Sequence, residues 1–380
     1  MNGHAIEESE RLVSIDAFRG AVIAAMLLVD GQSGTHTYAM FKHSIWNGLS
    51  FTDCIAPCFM WVVGVALFIS LNKRLSRGDD TVLVFRYVVR RSVILFGLGV
   101  ILNVWQPLIT AIFHADSNYL DSLRLMGTLQ RIAISYLVVS AILIYFPDPR
   151  KHIAIIFGLI TTYTLIFYLI PAHGFHHGDF SLEKNAVTYI DKLILGCHSG
   201  LSHPLLNTIP ATAMVILGSL IGRILIESTD RRWTLGLLSL IGILLLGAGA
   251  ISSFWIPINY KLWTTSFSML AGSIACLSFS LFYWLVEMKD FGLGTGFLRI
   301  LGMNPLVIWV AAILTKTILN MKGLFDQQGN WHPLWEILSE KIYITMIPVE
   351  LNSLVFASLF MFSFYLIAYL LYSRNIIVRI

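Results

Sequence analysis

Apolar runs of about 20 residues recur from one end of this chain to the other, each long enough to cross about 30 Å of hydrocarbon as a helix. Inside hydrocarbon every backbone polar group must find its partner within the segment, so runs of this length fold as spanning helices. Composition agrees. Of the 380 residues, 56% are hydrophobic and 13% charged, whereas a soluble domain carries about 25% charged residues. The expected fold class is all-α: a polytopic integral membrane helix bundle with about ten transmembrane helices. Their expected positions are roughly 13–31, 49–71, 82–106, 128–147, 152–171, 208–226, 233–252, 262–287, 297–319 and 350–373.

Residues 1–380 are expected to form one transmembrane domain, with no internal repeat. A long polar segment at about 172–207, rich in His and Gly, forms an outer-side loop, and about 331–343 forms an amphipathic interfacial helix. The positive-inside bias sets the orientation. With the N-terminus cytoplasmic, the inner connectors carry Lys73, Arg74, Arg77, Arg86, Arg90, Arg91, Arg150, Lys151, Arg223, Arg231 and Arg232. Both termini are then cytoplasmic. The opening segment "MNGHAIEESERLV" is acidic and lacks the basic n-region of a cleavable signal, so the first apolar run is expected to stay. The net charge of +4 is dispersed, which argues against nucleic acid as a partner. The four cysteines show no metal-ligand spacing, and no metal is expected.

Ionisable residues at bilayer depth are costly and default to functional candidates. The first helix holds Asp16, Arg19 and Asp30. At 100° per residue they fall within about 60° of one another, on a stripe about 21 Å long. Such a stripe lines a hydrated interior, or else Asp16 and Arg19 are a salt bridge that fixes the inner end of the helix. Further candidates gather at helix entrances: Asp53 before Pro57 in the second helix, Arg131 in the fourth, Asn259, Lys261 and Trp263 at the eighth, and Asn304 in the ninth. Arg86 and Arg90 face the cytoplasm, where they can grip phosphates or anchor lipid headgroups.

The stretches "RLVSIDAFRG", "FKHSIWNGLSFTDCIAPCFMWVVGVAL", "GTLQRIAISYLVV", "YIDKLILG", "NTIPATAMVILGSLIGRIL", "IPINYKLW" and "GMNPL" follow one another along nearly the whole chain. Together they resemble the heparan-α-glucosaminide N-acetyltransferase family and its bacterial relatives. The resemblance implies a membrane acyltransferase that moves the acetyl group of cytosolic acetyl-CoA, as co-substrate, to the amine of a terminal glucosamine on the outer side. It also implies a homodimer, in a bacterial inner membrane. The family's essential histidine matches His43 in "KHSIWNGL". Its second catalytic polar residue, an asparagine, aligns with Asp30, and the loop between the two is longer here. Where the family has a glutamate before the sixth helix, the nearest polar residue is His203.

The residue types suit that chemistry. An amino sugar attacks a thioester only as its free amine, and histidine is suited to take the proton near neutral pH. His43 is either that base or the carrier of the acetyl group itself. An ionised Asp30 near the imidazole would orient it, and Asn47 would stabilise the developing oxyanion. Trp46 and Trp263 either offer sugar-stacking surfaces or belong to an interfacial aromatic belt, with Asp53, Arg131, His203, Asn259, Lys261 and Asn304 as further substrate-binding candidates. Asp16, Arg19, Arg86 and Arg90 are the candidates for holding acetyl-CoA. Two alternatives stand beside this reading: O-acetylation of a cell-envelope polysaccharide, and a small-molecule transporter whose path the polar stripe lines.

Overall fold

A computed structural model describes residues 12–33, 37–114, 124–170, 177–196, 204–292, 294–325 and 331–378. Helices dominate: α1 (Val13–Asp30), α2 (Phe51–Ser76), α3 (Thr81–His114), α4 (Thr128–Tyr145), α5 (Pro149–Leu169), α6 (Ala186–Leu195), α7 (Thr208–Glu227), α8 (Arg231–Ser252), α9 (Thr265–Tyr283, continued by a π-turn Trp284–Met288), α10 (Thr295–Met303), α11 (Pro305–Met321), α12 (Leu334–Lys341) and α13 (Val349–Ser373). A short hairpin of β1 (Gly323–Phe325) and β2 (Trp331–Pro333) precedes α12, with Leu324 opposite His332.

A helix stands at each of the ten expected positions, and the chain is an all-α, polytopic membrane protein. Among the described residues, eight helices are long and apolar enough to cross a bilayer, and a ninth span results if α10 and α11 count as one. α1 also has 18 residues, but it carries three charged residues, Asp16, Arg19 and Asp30. The ninth helix departs from expectation. It is broken, with α10 and α11 bent by 79°. The cause is Pro305: the ring cannot donate an amide and pushes the preceding residue out of the helical region. Asn304 accordingly sits at φ −125, ψ 50. Pro57, by contrast, lies inside α2, which runs on without a break in the assigned helix.

The chain clusters into two compact units, one of Met1–Lys42, Asp230–Ile241 and Ala275–Arg379, the other chiefly of His43–Thr229 and Gly242–Ile274. In the first, α1 lies against α10 through glycines. A Cβ at Gly20 would overlap the carbonyl oxygen of Leu298, and one at Gly302 that of Asp16. Hydrocarbon supplies little hydrophobic drive between helices, so close backbone contact of this kind is what holds them. Aromatic edges fill the remainder: Phe18 meets Phe279 at 5.5 Å, and Trp335 of α12 meets Phe356 and Phe360 of α13 at 4.9 and 5.1 Å.

The second unit repeats the device. A Cβ at Gly64 of α2 would overlap the carbonyl of Val215, and one at Gly218 of α7 that of Trp61. α2 and α7 form its interior, with α4 and α5 packed on α7 and α3 on α4. The outer face of α3 carries exposed Val82, Leu83, Val93 and Ile101, side chains suited to lipid tails. Of the expected outer loop, the described part holds α6, which is started by Asn185 accepting the Thr188 amide at 2.8 Å.

Candidate functional site

The entrance of α2 is built by its N-cap. The Ser50 hydroxyl accepts the Asp53 amide at 3.3 Å, while Asp53 Oδ2 accepts the Ser50 amide at 3.0 Å, the reciprocal arrangement of a capping box. A glutamate or glutamine is usual at that position. The shorter aspartate keeps its carboxylate close to the helix end, where it serves more partners. Oδ2 also accepts the Ser44 hydroxyl at 2.8 Å and the Ser44 amide at 3.3 Å. Oδ1 bonds His43 Nδ1 at 2.7 Å. The Asp53 side chain is fully buried while that of His43 is half exposed, at 0% and 50%.

An ionised carboxylate only accepts, so Nδ1 carries the proton and the neutral imidazole presents its lone pair at Nε2. One face is covered: Tyr260 stacks on His43 with centroids 4.9 Å apart and planes 9° from parallel. The imidazole is thus held by its edge and by one face.

The loop that carries His43 is tied to residues 256–264. The Gly48 amide donates to the Ile258 carbonyl at 2.8 Å, Lys261 Nζ to the Ile45 carbonyl at 2.9 Å, and Asn259 Nδ2 to Asn47 Oδ1 at 3.2 Å. Gly48 takes φ 128, a conformation that favours glycine and lets the chain turn toward α2. Trp46 donates its indole N–H to the Phe180 carbonyl at 2.9 Å and lies half-buried under Lys261. Behind the loop, Asn207 Nδ2 holds the Lys261 carbonyl at 2.6 Å, and the buried Tyr163 hydroxyl donates to Asn207 and to the Leu262 carbonyl.

These contacts sort the expected site residues. His43, Trp46, Asn47, Asp53, Asn259 and Lys261 come together in the second unit. Asn259 and Lys261 hold the loop of His43, since their polar atoms are engaged with backbone or with Asn47. Trp263 is fully buried, with one face under the Arg131 guanidinium at 4.8 Å. The ring that lies against the histidine is Tyr260, which the residue reading overlooked although it lies within the quoted "IPINYKLW". The carboxylate expected to orient His43 was that of Asp30. The hydrogen bond is made by Asp53, because the capping box turns that side chain back over the loop.

The remaining candidates make other contacts. Asp30 ends α1 in the first unit, where Lys316 Nζ donates to its backbone carbonyl at 2.5 Å and rests over Trp335 at 5.3 Å. Lys316, a lone cation in an apolar helix, was missed although its position carried the signal. Asp16 and Arg19 form the salt bridge, at 2.8 Å, and Arg19 Nε also donates to the Gly302 carbonyl at 2.5 Å. Asn304 clasps the C-terminal segment, donating to the Ile376 carbonyl at 2.9 Å and accepting the Val378 amide at 2.8 Å. Arg86 and Arg90 are exposed on α3. His203 lies outside the described residues.

The family model described as "Heparan-alpha-glucosaminide N-acetyltransferase, catalytic" matches residues 11–249. The chain belongs to the heparan-alpha-glucosaminide N-acetyltransferase family. The matched span contains His43, Asp53 and Arg131 and ends before the loop of Tyr260. Two relatives carry the name heparan-alpha-glucosaminide N-acetyltransferase. The one from Mus musculus is 27% identical over 88% of this chain and 58% of its own length. The one from Homo sapiens is 28% identical over 79% of this chain and 52% of its own. The chain thus spans about half the length of the curated relatives it matches.

Proposed function

We propose that the chain is an acetyltransferase that passes the acetyl group of acetyl-CoA to the amine of a glucosamine-type acceptor, with His43 at the reacting centre. The observation that carries this reading is the pairing of His43 Nδ1 with the buried Asp53 carboxylate at 2.7 Å. It fixes one tautomer, leaves Nε2 free to act and stabilises the imidazolium that forms when Nε2 takes a proton. Family membership and the names of the mouse and human relatives supply the substrate class.

In the direct route, Nε2 removes a proton from the acceptor ammonium. The freed amine attacks the thioester carbonyl, the C–S bond breaks, CoA leaves as its thiolate, and the second amine proton passes to that thiolate to give the neutral amide and CoA thiol. In the covalent route, Nε2 attacks the thioester first, the C–S bond breaks and CoA leaves as its thiolate; the free amine then takes the acetyl group from Nε2, and its surplus proton passes to the thiolate. The Asn47 amide nitrogen is the proposed donor to the developing oxyanion. The Lys and Arg bias of the inner connectors supports an orientation in which acetyl-CoA enters from the cytoplasmic side.

The test is transfer of label from radioactive acetyl-CoA to glucosamine by the purified chain in detergent. Wild type should form N-acetylglucosamine, and His43→Ala should form none while retaining its unfolding midpoint. Rapid quench without acceptor separates the routes, because only the covalent one leaves label on the protein. Full activity in His43→Ala would end the reading.

A further inference from the structure

The first turn of α4 breaks two local rules at once. Arg131 stands at the end of a helix where partial positive charge already collects and where a cation is unfavourable. It is also only 4% exposed, and its Nε and Nη2 find no acceptor among the described residues. The partly exposed Arg19 and Arg223 donate to the carbonyls of Gly302 and Pro147, and Arg91 and Arg299 each leave only Nε without an acceptor among the described residues, whereas Arg131 leaves two nitrogens. The ionisable groups that face Arg131 are the phenols of Tyr260 and Tyr163, and no ion pair joins it to a carboxylate among the described residues.

Its surroundings point the same way. Helical side chains lean toward the N-terminus, so the guanidinium is carried toward the opening amides of α4. The helix begins at Gly127, which brings no side chain to cap those amides. Beneath the guanidinium, Trp263 is held at φ 50, a strained conformation for a bulky residue. A buried cation without a counter-charge is strongly destabilising, and departures from local rules mark functional sites.

We propose that Arg131 and the first amides of α4 form a receptor for an oxyanion carried by a substrate: a carboxylate, sulfate or phosphate. Helix N-termini bind such groups readily, and the guanidinium fork grips two of their oxygens. The assignment of the anion to a substrate rests on the acetyltransferase reading, whereas anion binding itself does not. Acetyl-CoA brings phosphates, and a glycan acceptor brings carboxylate or sulfate.

The test uses the full chain in detergent, as wild type, Arg131→Gln and Arg131→Lys. Millimolar sulfate should raise the unfolding midpoint of wild type above that in chloride of equal ionic strength. Arg131→Gln should lose this shift, and Arg131→Lys should keep part of it, since an ammonium lacks the planar fork. Initial rates then locate the anion. A KM for acetyl-CoA raised about tenfold or more in Arg131→Gln, with kcat less affected, assigns it to the donor. The same rise confined to a carboxylate-bearing glucosamine disaccharide, and absent for plain glucosamine, assigns it to the acceptor. The proposal is overturned if the wild-type midpoint ignores sulfate and both substrates, or if Arg131→Gln keeps both the shift and the KM values. Should Arg131→Gln fail to fold, the wild-type titration and Arg131→Lys decide. A sulfate shift without any acetylated product would retain the receptor and end the acetyltransferase reading.

Discussion

Asp53 divides its carboxylate between two tasks: Oδ1 bonds His43 Nδ1 at 2.7 Å, and Oδ2 accepts the Ser50 amide at 3.0 Å. One residue thus starts α2 and sets the histidine, so the placement of the imidazole is as firm as the helix end itself. Asp53→Asn tests this. The amide can still receive the Ser50 N–H, but it no longer stabilises an imidazolium or enforces one tautomer. Activity should fall by about a hundredfold to ten-thousandfold, while stability should drop by about 1 kcal/mol. Steady-state rates and thermal unfolding of the purified variant check both. Activity within twofold of wild type would remove Asp53 from the mechanism.

Tyr260 covers one face of His43 at 4.9 Å. Such aromatic contacts contribute about 0.5–1.5 kcal/mol beyond buried area. Tyr260→Phe keeps the stack and should stay close to wild type, whereas Tyr260→Leu should lose about tenfold in kcat. Separate kcat and KM values distinguish positioning from simple packing, because a misplaced imidazole lowers kcat more than it raises KM.

Gly218 meets the Trp61 backbone where α7 crosses α2, with no room for a methyl group. Gly218→Ala should force the helices apart, at a cost of about 1–3 kcal/mol or more. Gly236 on α8 has open space where its Cβ would be. Gly236→Ala is therefore expected to leave the unfolding midpoint unchanged or higher. Size-exclusion profiles after a graded heat step compare the two, and equal behaviour would refute the close-contact account.

Asp191, in α6, is buried, and burial holds its carboxyl above the usual range even though the Leu205 amide donates to it at 2.7 Å. A carboxyl raised on folding binds its proton more tightly in the native state. Its contribution is therefore full below the unfolded value of about 3.9 and is lost as pH rises through the folded value. Asp191→Asn still accepts the Leu205 amide, so it should keep the fold and flatten this part of the stability profile. Unfolding midpoints measured across the acidic range would show an unchanged slope if the idea is wrong.

Local sequence determined the helices, because length and apolarity are properties of each segment alone and hydrocarbon leaves such segments no other backbone solution. It also offered Asp53, Arg131, Asn259, Lys261, Trp263 and Asn304 as candidates, since polar residues at helix entrances stand out without any knowledge of contacts, whereas His43 came from the family resemblance. The break at Asn304 was legible too, in the proline that follows it, although the apolar run conceals it.

Only the tertiary structure decided which groups meet. Asp30 and Asp53 were both acidic candidates, and a capping box selected Asp53 for His43 by turning its side chain back across the loop. Tyr260 reaches the histidine, and Asn259 becomes a clamp for its loop, through contacts between segments more than 200 residues apart in the chain. Hydrogen bonds and ring contacts between irregular loops leave no periodic trace in either partner. They follow from how α2 and α7 pack at their glycines and where the connecting segments are then brought together.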